Sequence, residues 1–185
     1  GSTDGSAELA RAMGARVVPA LERGYGAALQ TGFAAARTVY IVYADADLTY
    51  DFREGPRLVK ALRDSNADMV VGTRLQGQIE PGAMPVLHRC LGTPVLTAMI
   101  NLLFGSKLTD CNSGFRAFCR DRLTAWAVSS PGMEFASELL VNALGAGAKI
   151  VEVPITLRRD RRDRQPHLHT WRDGMRHLLT ILARA

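Results

Sequence analysis

Asp45, Ala46 and Asp47 come directly after Val39 to Ala44, a run rich in Val, Ile and Tyr that reads as a buried strand. In α/β folds the crevice beyond the carboxyl end of a strand is where ligands bind. Alternate residues at such an end can aim both carboxylates into one crevice, and a hard divalent cation bridged to a diphosphate needs oxygen ligands of that kind. The tripeptide also fits a polar loop capping the following helix. Glu134 and Glu138 form a second acidic pair at i and i+4, spaced to share a helix face; Glu134 could point toward a substrate or serve the helix dipole. Arginine suits phosphate oxygens through its planar fork of donors, yet Arg74, alone after a strand candidate, also reads as a surface charge.

Positive charge gathers near one end. The 185 residues include 23 Lys or Arg and 18 Asp or Glu, for a formal net charge of +5. From Arg158 to His177 stand Arg158, Arg159, Arg161, Arg162, Arg164, Arg172 and Arg176 against Asp160, Asp163 and Asp173. Such a patch suits a phosphorylated ligand, anionic lipid or nucleic acid, or is a solvated run. Nucleic acid is the poorest fit, because Trp171 alone makes no stacking platform and no reading motif accompanies it.

Composition bounds the class: 47% hydrophobic and 22% charged residues describe one ordinary globular domain and exclude disordered and fibrous chains. Cys90, Cys111 and Cys119 have neither the number of a disulfide framework nor the spacing of a zinc site, which suits a reducing cytoplasm. The uncharged stretch from Cys90 to Ser106 holds Gly92, Thr93, Pro94, Thr97 and Asn101, making it a poor membrane span that could still lie on a bilayer surface.

These residues need elements to position them. Helical patterns cover Ser6 to Met13, Gly26 to Arg37, Phe52 to Arg63, Val86 to Phe104 (interrupted at Gly92 and Pro94), Glu134 to Leu144, and Leu168 to the end. Strand patterns cover 39–44, 68–73, 114–119 and 149–157, and Arg16 to Val18 is a short β-branched run. The alternation predicts an α/β layered domain with parallel strands and crossover helices. No internal repeat or low-complexity tract is present. The chain opens on a Gly1-Ser2-Thr3-Asp4-Gly5-Ser6 turn running straight into a helix. An open α/β sheet normally feeds such a turn from a strand, so the expectation is a sheet lacking its first strand, poorly stable and inactive in isolation.

Several motifs recur in a meaningful order. The Gly1 to Ser6 turn is followed by Arg23-Gly24-Tyr25-Gly26-Ala27-Ala28 and then by Tyr43-Ala44-Asp45-Ala46-Asp47. Further on come Gly72-Thr73-Arg74, His88-Arg89, Asn101 to Gly105, Thr109 to Arg116 and Val151-Glu152-Val153-Pro154-Ile155. Together they resemble the family-two glycosyltransferases, in the branch of dolichyl-phosphate mannosyltransferase and bacterial polyprenyl-phosphate glycosyltransferases, over nearly the whole chain.

The resemblance implies a GT-A nucleotide-sugar fold and inverting transfer of one sugar from a UDP- or GDP-linked donor to a polyprenyl phosphate, dolichyl or undecaprenyl, on the cytoplasmic membrane face. It places Asp4, Gly24, Tyr25, Gly26 and Asp45 near the donor, and Asp47 with Asp45 on Mg²⁺ or Mn²⁺. Arg74, Arg89 and Thr93 match acceptor-phosphate positions; Arg161, Arg162 and Arg164 join them by position and charge alone, in a basic loop that reads as a lid. Asp110 matches a carboxylate facing the reaction centre, with a turn residue ahead of a strand as the lesser reading. The expected division is a catalytic domain at 1–157 and, at 158–185, the lid loop with a juxtamembrane or interfacial helix. On that helix Trp171, Met175, Leu178 and Leu182, with Leu179 beside them, make an apolar stripe flanked by Arg172 and Arg176, which suits a helix lying in the membrane interface or an ordinary amphipathic helix packed on the sheet.

Two positions depart from the family pattern. Leu48 is followed by Thr49 where Gln is usual beside the metal, and 161–167 is not of the Gly-Glu-Ser-Lys type. A Gln-x-x-Arg-Trp segment of processive synthases is absent, which favours single-sugar transfer. The competing readings are a sugar-phosphate nucleotidyltransferase, a basic nucleic-acid-binding module and a catalytically idle fragment.

Overall fold

The computed structural model describes residues 2–161 and 170–184. One four-stranded sheet contains β1 (Tyr40–Tyr43), β2 (Met69–Ile79), β3 (Arg116–Cys119) and β4 (Ile150–Leu157), in the spatial order β1-β3-β2-β4. The helices are α1 (Ser6–Ala12), α2 (Tyr25–Ala35), α3 (Gly55–Asp64), α4 (Thr93–Phe104), α5 (Leu123–Trp126), α6 (Phe135–Gly145) and α7 (Thr170–Leu182). Every expected strand of 39–157 is present. Arg16 to Val18 forms no strand, and α5 was not expected from the sequence.

Strand direction corrects the all-parallel expectation. β2 and β4 are parallel, but β3 runs antiparallel to both β1 and β2. Arg116, the first residue of β3, pairs with Tyr43, the last residue of β1. The segment after α4 therefore returns to the carboxyl end of β1 and enters the sheet from there. Alternating strand and helix patterns count elements; they do not say at which end of the sheet each strand is entered.

The period-2 alternation of the strands divides the core between two faces. Met69 and Val71 join Phe33, Ile41, Ile100, Phe118, Trp126, Phe135 and Leu139 on one side. Val70, Phe115, Ala117 and Ile155 meet Leu58 and Leu62 of α3 on the other. Leu58 and Leu62 are one turn apart and almost wholly buried, so each contributes about 2 kcal/mol of burial. α3 opens with Pro56 in its first turn, where a missing N–H costs nothing.

Gly92 and Pro94 do interrupt the long apolar helix. A single π turn, His88–Gly92, leads into α4, whose first turn takes Pro94. Thr93, Thr97 and Ile100 face inward, while Leu91, Val95 and Leu102 are exposed. On α7, Ile181 is fully buried in the core. Met175, Leu179 and Leu182 are exposed. The side chains of Trp171 and Arg172 lie outside the described residues.

Candidate active site

A cavity of about 390 Å³ lies beyond the carboxyl end of β1, and Tyr25, Asp45, Tyr50, Arg74, Thr93, Asn112, Gly114 and His177 are among its lining residues. Four elements deliver Asp45, Arg74, Thr93, Asn112 and Gly114 for identifiable reasons. β1 ends at Tyr43, which places Asp45 at the rim. The pairing of β2 with β4 shifts register between Thr73 and Gln78, and Arg74 sits in that break; an irregularity of this kind re-aims a side chain. The π turn brings Thr93 to the wall, and the loop ahead of β3 brings Asn112 and Gly114.

Arg74 and Asp110 form the closest charged unit at the site. Arg74 Nε and Nη2 donate to Asp110 Oδ2 and Oδ1, both at 2.7 Å, and the Arg74 backbone N–H donates to Oδ2 at 3.0 Å. Asp110 is completely buried, whereas 13% of the Arg74 side chain is exposed. Burial works against the Arg74 charge, but Tyr50 and the Asp110 carboxylate outweigh it and hold the guanidinium above its ordinary pKa. Asp110 is therefore committed to Arg74 and is not among the cavity-lining residues. With Nε and Nη2 committed, the edge carrying Nη1 is the one a cavity ligand can take.

Asp47 Oδ1 accepts from Thr49 N at 3.1 Å and Thr49 Oγ1 at 2.6 Å. Thr49 thus fixes the Asp47 carboxylate. Asp45 lines the cavity; Asp47 is not among the lining residues. Asp45 is one of the charges that, after burial and Tyr43, push the Tyr25 hydroxyl far above its ordinary pKa.

The other sequence-derived residues are more scattered. Gly24 and Gly26 pack against backbone: a β-carbon would meet Pro131 O at 2.2 Å and Ser130 O at 2.1 Å respectively, so only glycine fits. Asp4 is exposed and its carboxylate accepts from Ser6 N and Oγ at the start of α1. Arg89 and Arg161 are exposed and outside the cavity lining. Arg162 and Arg164 lie outside the described residues. Glu134 caps α6, one turn before Glu138, and lines a separate hollow with Arg23 and Arg176. Glu138 is buried, accepts from Ser129 N and Ser130 N, and pairs with Arg184 beyond α7.

Tyr50, Asn112, His177, Arg116 and Glu152 were not singled out from the sequence as individual site residues. Tyr50 Oη accepts from Gly114 N at 3.0 Å, and His177 Nδ1 lies 2.7 Å from Ser137 Oγ. Arg116 is fully buried and donates to the carbonyls of Ser113, Ala136 and Cys111 at 2.7–2.9 Å, shaping the loop that carries Asn112. An arginine inside an apolar strand, at 116, was the one available signal.

Comparison with known proteins matches this chain to a family. Over 184 residues, 100% of the chain, it is 42% identical to the low-salt glycan biosynthesis hexosyltransferase Agl6 of Haloferax volcanii, of which it covers 44%. It is 32% identical over 160 residues to a dolichyl-phosphate hexose transferase of the same organism, covering 85% of this chain and 67% of that one. Among solved structures, the Mycobacterium tuberculosis glucosyl-3-phosphoglycerate synthase in complex with Mn²⁺, uridine-diphosphate-glucose and phosphoglyceric acid superposes with a TM-score of 0.75 at 27% identity, covering 100% of this chain and 65% of that one. The chain thus spans less than half the length of the first of these relatives. Residues 1–124 match the model of glycosyl transferase family 2; the chain belongs to that family, as a glycosyltransferase domain of GT-A fold.

Proposed function

We propose that the protein containing this chain transfers a single sugar from a nucleotide diphosphate sugar to a polyprenyl phosphate, with inversion at the anomeric carbon, at the cytoplasmic face of a membrane. The observation that carries the reading is one cavity holding a strand-end carboxylate, Asp45, together with a guanidinium, Arg74, and a hydroxyl, Thr93. A dolichyl-phosphate hexose transferase among the relatives supports the lipid acceptor. The family match leaves no ground for the nucleotidyltransferase alternative.

Among the described residues no group of three or more His, Cys, Asp or Glu is placed to hold a metal. Two carboxylates suffice where a diphosphate supplies further oxygens, the usual arrangement for Mg²⁺. Asp45 and Asp47 give that all-oxygen pair, so the residues fit Mg²⁺ or Mn²⁺ with Asp47 and Asp45 as ligands. When bound, such an ion neutralises charge on the departing diphosphate. Asp4, Gly24, Tyr25 and Gly26 take the nucleotide side of the donor.

Arg74 and Thr93 hold the acceptor phosphate, and exposed Arg89 and Arg161, with Arg162 and Arg164, draw it in. A phosphate oxygen is already anionic, so its lone pair can form the bond to the anomeric carbon as the bond to the donor β-phosphate oxygen breaks. No strong base is required, and orientation with charge stabilisation supplies the rate. Asp110 serves by holding Arg74.

Residues 158–185 act as lid and interfacial helix. Arg158 N donates to Thr49 O at 2.8 Å, so the lid begins beside the Asp45–Asp47 loop. Ile181 anchors α7 to the body, while Met175, Leu179 and Leu182 remain exposed. Among the described residues no helix is long and apolar enough to cross a membrane. These exposed apolar side chains, with the exposed Leu91, Val95 and Leu102 of the π turn and α4, suit contact with a bilayer surface.

The test is turnover by the full-length protein, supplied with UDP- and GDP-sugars against dolichyl phosphate, undecaprenyl phosphate and 3-phosphoglycerate. Sugar transfer to a polyprenyl phosphate supports the reading. Transfer to 3-phosphoglycerate alone, the acceptor type in the glucosyl-3-phosphoglycerate synthase complexes, replaces it.

A further inference from the structure

Glu152 stands outside the cavity lining, on β4, opposite Val71 of β2. Its carboxylate accepts Thr109 N at 2.9 and 3.0 Å, Asp110 N at 3.0 Å and Thr109 Oγ1 at 2.8 Å. Thr109 Oγ1 also lies 2.8 Å from Thr73 Oγ1. A carboxylate only accepts, so the single Thr109 hydroxyl proton goes to Glu152, and Thr73 must be the donor between the two threonines. Thr73 Oγ1 in turn accepts from Gln76 N at 3.4 Å. Every donor in the chain Gln76, Thr73, Thr109 points toward Glu152. Aligned bonds of this kind polarise one another, and the negative charge at the end sets their direction.

The same carboxylate fixes the backbone of residues 109 and 110, whose next group outward is the Asp110 carboxylate clamped on Arg74. We propose that Glu152 is a positioning residue for Arg74: it holds the 109–110 peptide and the Thr73–Thr109 pair so that Asp110 presents the guanidinium to the cavity. The assignment rests on Arg74 being the phosphate ligand of the proposed function. Glu152 touches no substrate; it acts through Asp110. Its isostere glutamine keeps the shape but turns an amide N–H₂ toward a backbone N–H, breaking part of the anchorage.

The experiment uses the full-length protein with dolichyl phosphate and, in turn, UDP-glucose and GDP-mannose, comparing Glu152→Gln, Arg74→Lys and the double variant. Glu152→Gln raises the dolichyl phosphate KM about tenfold and leaves the nucleotide-sugar KM unchanged, because a displaced clamp weakens orientation at one substrate. The double variant is no worse than Arg74→Lys alone within twofold, the signature of residues acting as one unit. Multiplying effects, or an equal rise in both KM values, overturn the proposal. Thr109→Val removes the middle hydroxyl while keeping the amide bonds to Glu152, and gives a smaller shift in the same KM if Glu152→Gln proves too unstable to assay. If Arg74→Lys leaves the acceptor KM unmoved, the acceptor reading fails, and the positioning role is then judged by exchange of the Arg74 Nε–H with solvent. That exchange quickens at least tenfold in Glu152→Gln if the role is correct, and is unchanged if it is not.

Discussion

A β-carbon at residue 114 would lie 2.8 Å from Asp45 Oδ2, so Gly114 and the Asp45 carboxylate are in direct apposition. Gly114 is not among the glycines with positive φ; alanine would be tolerated by the backbone there and would act through the carboxylate alone. Gly114→Ala should raise the nucleotide-sugar KM about tenfold and shift the Mn²⁺ dependence to higher concentration, with little change in Tm. Steady-state kinetics over a Mn²⁺ series, beside a thermal melt, checks both parts.

Loss of Asp47, the proposed metal ligand, should be more severe. Asp47→Asn is expected to cost on the order of a hundredfold or more in kcat. Calorimetric titration of UDP in the presence and absence of Mn²⁺ should show metal-coupled binding in the native protein and none in the variant. Full turnover in excess EDTA would remove the metal from the mechanism.

Arg74 and Arg89 should part company in stability. Replacing Arg74 by Ala strands the buried Asp110 carboxylate, at a cost of about 3 kcal/mol. Arg89 is exposed, so Arg89→Ala should leave the urea midpoint in place and raise only the acceptor KM. Unchanged stability in Arg74→Ala would mean that Asp110 finds another partner.

Glu138 ties α6 to the 129–130 loop and to Arg184. Burial alone would raise its pKa, but hydrogen bonds from Ser130 and the Arg184 charge outweigh burial and hold it below the ordinary carboxylate value. A depressed folded pKa gives stability that is complete above the unfolded value and is lost as pH falls through the folded one. Glu138→Gln should therefore melt earlier than the native protein at pH 7, and the gap should close on acidification below about pH 4. Melts from pH 3 to pH 8 measure the closure.

Membrane contact should depend on apolar residues of α7 that do not pack inward. Changing Met175, Leu179 and Leu182 to Ser should reduce co-sedimentation of the catalytic part with anionic liposomes several-fold while leaving the Ile181 anchor intact. Arg161→Gln should reduce it only at low salt. Equal binding by all three proteins would leave these surfaces to another role.

Much of the framework was legible in local pattern. β1 with Asp45 and Asp47 just beyond its end, the helix that starts at Gly24-Tyr25-Gly26, the break at Gly92 and Pro94, and the basic run from Arg158 all follow from periodicity, glycine and proline chemistry, and charge, which act within a few residues. The ordered motifs likewise gave the family. What the tertiary structure decided is of longer range. It placed Asp110 behind Arg74, set Glu138 in the core against Arg184, and buried Arg116 among the carbonyls of residues 111, 113 and 136. A carboxylate or guanidinium carries the same charge in any sequence context; whether it meets solvent, a ligand or a buried counter-charge depends on which strand end the chain re-enters. The antiparallel entry of β3 settled that here, by returning residues 109–114 to the carboxyl end of β1.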